Sequence, residues 1–263
     1  MLLENKNAVI YGAGGGIGSG VARTFAREGA QVFLAGRTRE PLEAVAKDIA
    51  AAGGFAEVTV VDALDEQAVD EHTRTVASLA GGIDVSLNLI SRGDVQGIPL
   101  IEMTTADFTR PITTGITANF ITARSAARHM IEQGSGVILA LDSGSANGSP
   151  LMMGGTGPAD AATDTFVRSL AAEVGPHGIR VLGIWTAGVP DTLSPEKLAS
   201  VNSNLDMDGA AFQGLLDRLA KMRMLRRSPT LAQVADVAAL LASDRAAAVT
   251  GTFVNVTSGM FPS

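Results

Sequence analysis

A run of glycines near the start of the chain has the spacing of a phosphate-binding turn. The run spans Gly12–Gly18 (GAGGGIG) and follows the short β-prone segment Ala8–Ile10. Glycine lets the backbone turn tightly and approach a pyrophosphate, whose charge is then stabilised by the N–H groups at the start of the following helix. Between a strand and an amphipathic helix, the run predicts nucleotide binding, and the alternative is a purely structural turn.

The end of the second predicted strand indicates which nucleotide the turn would hold. The segment reads Ala35-Gly36-Arg37-Thr38 and contains no acidic residue. A carboxylate there would accept hydrogen bonds from the ribose hydroxyls of NAD, whereas a guanidinium can hold a phosphate with two hydrogen bonds. Arg37 therefore favours NADP(H) over NAD(H). The alternative is that Arg37 is only a solvated charge at a strand end.

The composition excludes several other kinds of site. The chain has 263 residues, with 20 Lys and Arg against 27 Asp and Glu, a net charge of −7 and no cysteine. It therefore has no disulfide, thiolate nucleophile or cysteine-based metal site, and its three histidines lack metal-ligand spacing, so we predict no metal site. The acidic balance argues against a nucleic-acid partner. Tyr11 is the one tyrosine.

No targeting or membrane-spanning segment is recognisable in the sequence. Residues 1–7 lack the basic stretch, apolar run and cleavage site of a secretory signal. No segment reaches the roughly 18 uninterrupted apolar residues of a membrane span. We therefore expect a soluble, cytoplasmic protein without a membrane partner.

The candidate residues lie in a chain where predicted strands and helices alternate. The predicted strands are Ala8–Ile10, Gln31–Ala35, Ala56–Val61, Asp84–Ile90, Gly136–Leu141, Arg180–Trp185 and Thr252–Val256. The predicted helices are one after the glycine run, with Val21, Ala22 and Phe25 on one face, and then Glu40–Ala52, Glu66–Leu79, Ile116–Glu132, Pro158–Val174, Ala210–Met224 and Leu231–Ala242. Because parallel neighbours need crossover connections, we expect one α/β domain over residues 1–263, a Rossmann-type doubly wound parallel sheet of about seven strands with helices on both faces.

The least regular stretch, residues 187–228, follows the strand that ends near Trp185. Ligands of open α/β sheets bind beyond the carboxyl ends of the strands, so we predict that this insertion is a lid over the crevice, the alternative being a surface excursion. Met153, Trp185 and Phe212 are predicted to line a pocket for an apolar small-molecule substrate, although such residues more often belong to ordinary core.

Several motifs together resemble the short-chain dehydrogenase/reductase family over essentially the whole chain. The spacing of Gly12, Gly16 and Gly18 is similar to the family's glycine motif. Asp62 falls at its adenine-contacting aspartate, and Asn88 matches the first residue of its Asn-Asn-Ala-Gly stretch. The segments 178–181 and 249–256 resemble its last two strand regions. The resemblance implies a nicotinamide-dependent oxidoreductase.

The resemblance also implies association through the fourth and fifth helices. We expect a homodimer or homotetramer, in which Ala161, Ala162 and Ala171 would allow close approach of the fifth helices. The cofactor contacts expected from the motifs and the resemblance are Gly12, Gly14, Gly15, Gly16, Ile17, Gly18, Arg37, Thr38, Asp62, Ala63, Asn88, Asp160, Thr186 and Gly188.

At the catalytic positions the sequence departs from the family's pattern. The family's serine aligns with Ser143, whereas its tyrosine, its lysine four residues later and its helix-four asparagine fall at Thr156, Asp160 and Gly115. No tyrosine follows Gly12 anywhere in the chain. We therefore expect that the family's usual proton transfer, from a tyrosine assisted by a lysine, does not operate.

The remaining candidates for catalysis are Ser143, Thr156, Asp142 and Asp160. Thr156 can hydrogen-bond but is a far weaker acid than a phenol. A buried carboxyl with a raised pKa could protonate or stabilise a nitrogen, and its anion would favour an iminium ion over a neutral ketone. The sequence thus suggests reduction of a C=N bond, with an activated C=C bond or a C=O bond as alternatives.

Less active roles remain open for the same residues. Asp160 would lie in the first turn of its helix, where a carboxylate interacts well with the helix dipole, and Asp142 could simply cap a loop. The whole chain could also be an NADP(H)-binding sensor or partner subunit without turnover.

Overall fold

Strands and helices alternate along the described chain. The structure, a computed structural model, describes residues 1–148, 151–202 and 204–261. The strands are β1 (Asn7–Tyr11), β2 (Gln31–Gly36), β3 (Phe55–Val60), β4 (Val85–Asn88), β5 (Gly136–Asp142), β6 (Ile179–Trp185) and β7 (Phe253–Asn255). The helices are α1 (Gly16–Arg27), α2 (Arg39–Ala51), α3 (Glu66–Ala80), α4 (Thr105–Gln133), α5 (Thr156–Val174), α6 (Pro195–Val201), α7 (Gly209–Met222) and α8 (Leu231–Ala242).

The seven strands form one parallel sheet in the order β3-β2-β1-β4-β5-β6-β7. The order reverses at β1, whose last residue Tyr11 is in register with Ala35 of β2 on one side and Asn88 of β4 on the other. At such a reversal the connections leave to opposite faces, which opens a crevice at the carboxyl ends of the strands. The predicted doubly wound α/β fold is confirmed.

Helices cover both faces of the sheet, so the strands are apolar on both sides. Along β1, Ala8 and Ile10 face a core shared with α1, α2 and α8, whereas Val9 and Tyr11 face a second core shared with α3, α4 and α5. This alternation follows from the two-residue period of a strand. Helices pack against both faces of the sheet, so the carboxyl ends of its strands are fixed in position and can support a site.

Helix α4 is longer than predicted, because it begins at Thr105 instead of near Ile116. The Thr104 hydroxyl caps it by accepting a hydrogen bond from the Asp107 N–H at 3.1 Å. Pro111 lies inside the helix, where a proline ordinarily interrupts the hydrogen-bond ladder. The longer helix brings Gly115 into the middle of α4 and alongside the loop that follows β4.

Helix α5 begins at Thr156, two residues before the predicted start. Asp160 is therefore its fifth residue and lies beyond the first turn, which contains no acidic residue. The interpretation of Asp160 as a first-turn partner of the helix dipole is thus wrong. Ala171 of α5 is buried against the core, so it does not belong to the small-residue surface expected for association.

The segment 187–228 contains α6 and α7, and one arginine joins its two ends to each other and to the loop after β7. Arg223 is fully buried, and its guanidinium donates to the carbonyls of Ala187, Gly188, Leu219 and Thr257. The role of the segment 187–228 as a lid over the crevice stays a prediction. Within the described ranges, none of the helices combines the length and apolarity needed to span a bilayer.

Candidate active site

A cleft opens where the carboxyl ends of β1, β2 and β4 meet the start of α1. Its cavity volume is about 230 Å³. Seven of the predicted cofactor contacts line it, namely Gly12, Gly14, Gly15, Arg37, Thr38, Asp62 and Ala63. The crevice predicted from the strand alternation and the residues predicted from local motifs therefore coincide.

The turn between β1 and α1 requires glycine for two physical reasons. Gly12 has φ +76°, and a Cβ there would lie 2.6 Å from the carbonyl of Leu89. A Cβ on Gly18 would lie 2.2 Å from the Gly12 carbonyl oxygen, so Gly18 serves the packing of α1 onto the turn. Gly16 and Ile17 begin α1, and Gly15 precedes them without a side-chain cap. The first N–H groups of α1 are thus free of side-chain caps, as a bound pyrophosphate requires.

The other end of the cleft presents polar side chains from two strand ends. Arg37 and Thr38 follow β2 and are exposed. Asp62 follows β3, and its carboxylate accepts the Leu64 N–H at 3.0 Å. Within the described ranges Arg37 makes no ion pair. These residues fit the adenosine part of a dinucleotide, and an exposed guanidinium without a carboxylate partner fits an added phosphate.

Three predicted cofactor contacts are placed differently. Asn88 is buried and donates to the Asn119 side chain at 2.9 Å, which joins β4 to α4. The Gly188 carbonyl accepts a hydrogen bond from the Arg223 guanidinium. The Thr186 hydroxyl, at the end of β6, is buried and has no hydrogen-bond partner among the described residues, so it remains available to a polar ligand atom.

Beyond β5, the carboxylate of Asp160 is the centre of a dense hydrogen-bond network. Its side chain is completely buried. Oδ2 accepts the hydroxyl of Ser143 at 2.5 Å, the Ser145 N–H at 3.0 Å and the Ser145 hydroxyl at 2.7 Å. Oδ1 accepts Nη1 of Arg92 at 2.7 Å. Asp160 therefore orients Ser143 from behind and does not reach a ligand itself, unlike the predicted ribose contact and catalytic acid.

Arg92 lies in the loop after β4 and was not predicted from the sequence. Its guanidinium also contacts Asp94, at 3.2 Å from Nη2 and 3.4 Å from Nε. Burial disfavours the charged form of Arg92, but the carboxylates of Asp94 and Asp160 outweigh it, and the net effect raises the pKa of Arg92. The available signal was its position just beyond the carboxyl end of β4, where functional residues of such sheets collect.

Thr156 is connected to the same network through Asp94. Its hydroxyl donates to Asp94 at 2.9 Å and accepts from the Gln96 amide at 3.3 Å, and its side chain is buried. The hydroxyl is thus already committed in both directions. The Ser143 hydroxyl is likewise both donor and acceptor, to Asp160 and from the Ser145 N–H at 3.3 Å, but it is only half-buried and keeps access to the space beyond β5.

Asp142 is an interior residue, although we had expected it to act on substrate. Its Oδ1 accepts the Gly144 N–H at 2.8 Å, which confirms the loop contact considered for it. Burial raises the pKa of Asp142 well above its usual range, and the nearby charges of Asp160 and Asp164 add to that effect. Its Oδ2 is buried and has no hydrogen-bond partner among the described residues, and burial also raises the pKa of the neighbouring Asp164.

The three predicted substrate-pocket residues come from different parts of the fold. Trp185 is buried, donates from Nε1 to Asp164 at 3.0 Å and stacks on Phe253 with 5.7 Å between ring centroids. Its assignment to the substrate pocket is therefore wrong, and its side chain belongs to the core. Met153 precedes α5 and Phe212 lies in α7, and both are partly exposed.

Tyr11 belongs to a different part of the molecule from Ser143. Its hydroxyl lies 3.4 Å from Nδ1 of His72 on α3, and burial raises the pKa of Tyr11 above its usual range. Ser143 instead directly follows β5, and Asp160 lies on α5. Tyr11 is among the residues that line the cleft, in agreement with its position just before the glycine turn.

Comparison with known proteins links this arrangement to nicotinamide-dependent enzymes. A family model described as enoyl-(acyl carrier protein) reductase matches residues 12–261. L-rhamnose 1-dehydrogenase (NAD(P)(+)) of Azotobacter vinelandii is 28% identical over 266 residues, which cover 99% of this chain and 98% of that protein. The structure of a short-chain type dehydrogenase/reductase from Mycobacterium marinum is similar with a TM-score of 0.82 at 27% identity, over 98% of this chain and 96% of that one. Actinorhodin polyketide ketoreductase, solved with NADPH, shares the fold with a TM-score of 0.87 at 24% identity, over 98% of each chain.

Proposed function

The chain belongs to the short-chain dehydrogenase/reductase family and is an oxidoreductase of that family, and from that premise we propose that it uses NADP(H) to reduce a C=N bond of an apolar small molecule. The substrate in this proposal is an imine in its protonated, iminium form. The proposal rests on the residues beyond β5, since these would face a substrate.

The single observation that carries the proposal is the direction of the hydrogen bond between Ser143 and Asp160. The Ser143 hydroxyl donates a hydrogen bond to the Asp160 carboxylate, with 2.5 Å between the two oxygens. A hydroxyl has one proton and two lone pairs, and one lone pair of Ser143 accepts the Ser145 N–H at 3.3 Å, so a single lone pair is left for a ligand. A ketone oxygen needs a donor, whereas the N–H of an iminium ion needs an acceptor. Ser143 is therefore suited to a nitrogen substrate.

The charges around Ser143 support the same substrate class. Two carboxylates, those of Asp94 and Asp160, surround one guanidinium, that of Arg92. The excess of one negative charge favours a cation in a partly buried site. An iminium ion carries its positive charge on arrival, so its reduction needs no strong acid in the protein.

The proposed reaction balances without a catalytic tyrosine. The bound nicotinamide supplies a hydride. The hydride adds to the iminium carbon, the π electrons of the C=N bond become the lone pair of the product amine, and that amine takes a proton from water. Ser143 holds the N–H throughout, and Asp160 orients Ser143. The only phenol in the chain is Tyr11, beside His72, which supports a mechanism that differs from the family's usual one.

For the cofactor, the cleft residues support NADP(H). Gly12, Gly14 and Gly15 would hold the pyrophosphate, Arg37 and Thr38 the 2′-phosphate, and Asp62 with Ala63 the adenine. The end of β2 carries no acid that would repel a 2′-phosphate.

A second candidate, an NADP(H)-binding sensor without turnover, has its own supporting observation. Asp160 and Thr156 are fully hydrogen-bonded within the protein, so neither has a free group for proton transfer. The two candidates share the cofactor and differ only in whether it is consumed.

We also propose a cytoplasmic homodimer or homotetramer that associates through α4 and α5. Phe120 of α4 is 46% exposed and packs against Phe166 of α5, and the Arg124 guanidinium lies 4.9 Å from its ring centroid. An exposed aromatic pair on adjacent helices is typical of a surface that a second copy covers. Sedimentation velocity tests this directly, and a monomer at all concentrations would contradict it.

The function is tested by following NADPH oxidation with cyclic imines, enones and ketones side by side. We expect turnover of the imines, and loss of that turnover in Ser143→Ala with NADPH binding unchanged. Turnover of ketones alone would overturn the C=N assignment. NADPH binding without consumption across the whole panel would favour the sensor.

A further inference from the structure

Gly115 of α4 leaves the space that the Arg92 side chain occupies. A Cβ on Gly115 would lie 2.7 Å from Cδ of Arg92 and 3.3 Å from its Cγ. Alanine would suit a helix interior better than glycine by about 1 kcal/mol. The Arg92 side chain beside Gly115 thus explains the glycine, since any larger side chain would push Arg92 away from its present position.

Arg92 uses that passage to reach Asp160 on a different helix. The guanidinium is 15% exposed and the carboxylate fully buried, with 2.7 Å between Nη1 and Oδ1. Asp94 holds the other side of the guanidinium, at 3.2 Å. A completely buried carboxylate needs a positive charge and hydrogen bonds to compensate for its lost hydration. Arg92 supplies the one positive charge in direct contact with Asp160 in the described chain.

We infer that Arg92 is a positioning residue that makes the site selective for ligands donating an N–H group, because it holds Asp160 as the acceptor of the Ser143 proton. This inference rests on the proposed function and names how its substrate class is selected. Without the guanidinium, Oδ1 of Asp160 loses its ion-pair partner, and the carboxylate can turn so that Oδ2 no longer accepts the Ser143 hydroxyl. The Ser143 hydroxyl is then free to donate to a ligand, so the preference for N–H donors is lost.

The test compares two small rings of matched size and no charge. Pyrrole offers an N–H donor and furan offers an oxygen acceptor, so their relative affinity reports the hydrogen-bond direction at Ser143. Binding of each ring to the protein loaded with NADP⁺ is measured by ligand-observed NMR. For the wild type we expect pyrrole to bind about fivefold more tightly, the size of one neutral hydrogen bond.

Three variants separate positioning from general damage. In Arg92→Met we expect the pyrrole preference to fall to about equal affinity, whereas Arg92→Lys, which keeps a cation, should restore most of it. Gly115→Ala keeps the guanidinium but displaces it, and we expect an intermediate ratio. If Arg92→Met does not fold, as judged by circular dichroism, the ratio in Gly115→Ala decides.

The possible failures are distinguishable. A purely structural role of Arg92 would weaken both rings equally and leave their ratio at the wild-type value, which would overturn this inference while the proposed function stands. Equal binding of the two rings by the wild type would overturn the acceptor role of Ser143, and with it the proposed function.

Discussion

Arg92 and Asp160 form an ion pair that closes the space between the loop after β4 and helix α5, with 2.7 Å between Nη1 and Oδ1. The two residues are 68 positions apart in the sequence. Their pairing holds the Asp160 carboxylate of α5 next to Ser143, where it accepts a hydrogen bond from the Ser143 hydroxyl. The direction of the hydrogen bond that Ser143 can offer a substrate therefore depends on the ion pair between Arg92 and Asp160, in which Ser143 takes no part.

Removal of the Asp160 charge should destabilise the fold. In Asp160→Asn, the guanidinium of Arg92 loses its fully buried partner, and we expect the free energy of unfolding to fall by about 3–5 kcal/mol. Urea denaturation followed by circular dichroism measures the change. Asp236→Asn is the matched control, because Asp236 pairs with Arg27 at 2.8 Å on the surface, with both side chains more than half exposed. We expect less than about 1 kcal/mol there. Equal losses in both variants would contradict the special position of Asp160.

The turn at Gly12 gives a second prediction, on both cofactor binding and stability. Gly12 and Gly53 have similar left-handed backbone angles, φ +76° and +82°, but only Gly12 has backbone atoms within 3 Å of a built Cβ. Gly53→Ala should cost about 1–2 kcal/mol of strain. Gly12→Ala should cost more and abolish NADPH binding in a fluorescence titration, since the Leu89 carbonyl must move. Unchanged NADPH affinity in Gly12→Ala would exclude the turn from the cofactor site.

Much of this site followed from local patterns in the sequence. The glycine run and Arg37 were assigned from their positions after predicted strands and Asp62 from the family resemblance, and the parallel sheet brings them into one cleft. Such residues are predictable because strand ends converge whenever the topology is doubly wound. The same logic placed Ser143 next to the expected crevice.

The contacts of Arg92 were not predictable in that way. They depend on Gly115 in α4 and Asp160 in α5, which are distant in sequence, and no local period signals their approach. Trp185 failed for a related reason, since its position at the end of β6 does not tell which face of the sheet its ring takes. The first part of α4 was not predicted because it contains Pro111, and a proline ordinarily interrupts a helix. In each case a tertiary contact determined the outcome.

The buried Asp142 carboxyl makes stability depend on pH. Its pKa is raised in the folded state, so the native protein binds a proton that the unfolded chain releases near pH 4. The free energy of unfolding should therefore decrease as pH rises through neutrality, by up to about 1.4 kcal/mol per pH unit for one proton. Burial lowers the pKa of His72 to about 4, which gives the opposite slope below pH 6.5 or so.

The contribution of Asp142 is separated by Asp142→Asn, whose amide oxygen can keep the contact to the Gly144 N–H. We expect its stability to vary less with pH than that of the wild type, and the difference between the two to grow from pH 7 upward in favour of the variant. Thermal unfolding in a series of buffers measures this. Parallel pH profiles for the two proteins would assign the dependence to other groups.

The cofactor preference is tested at the end of β2. Arg37 is exposed beside the cleft and has no carboxylate partner in the described ranges, so its guanidinium is available to a 2′-phosphate. Arg37→Ala should weaken NADPH binding about 10- to 100-fold, the range for a hydrogen bond to a charged group, and should leave NADH binding unchanged. Arg39→Ala removes the same charge two residues later, where the side chain pairs with Glu43 along α2. We expect that control to change NADPH affinity by less than about threefold, because an exposed charge acting only at a distance is strongly screened. Equal effects of the two substitutions would mean that Arg37 contributes general positive charge and no direct phosphate contact.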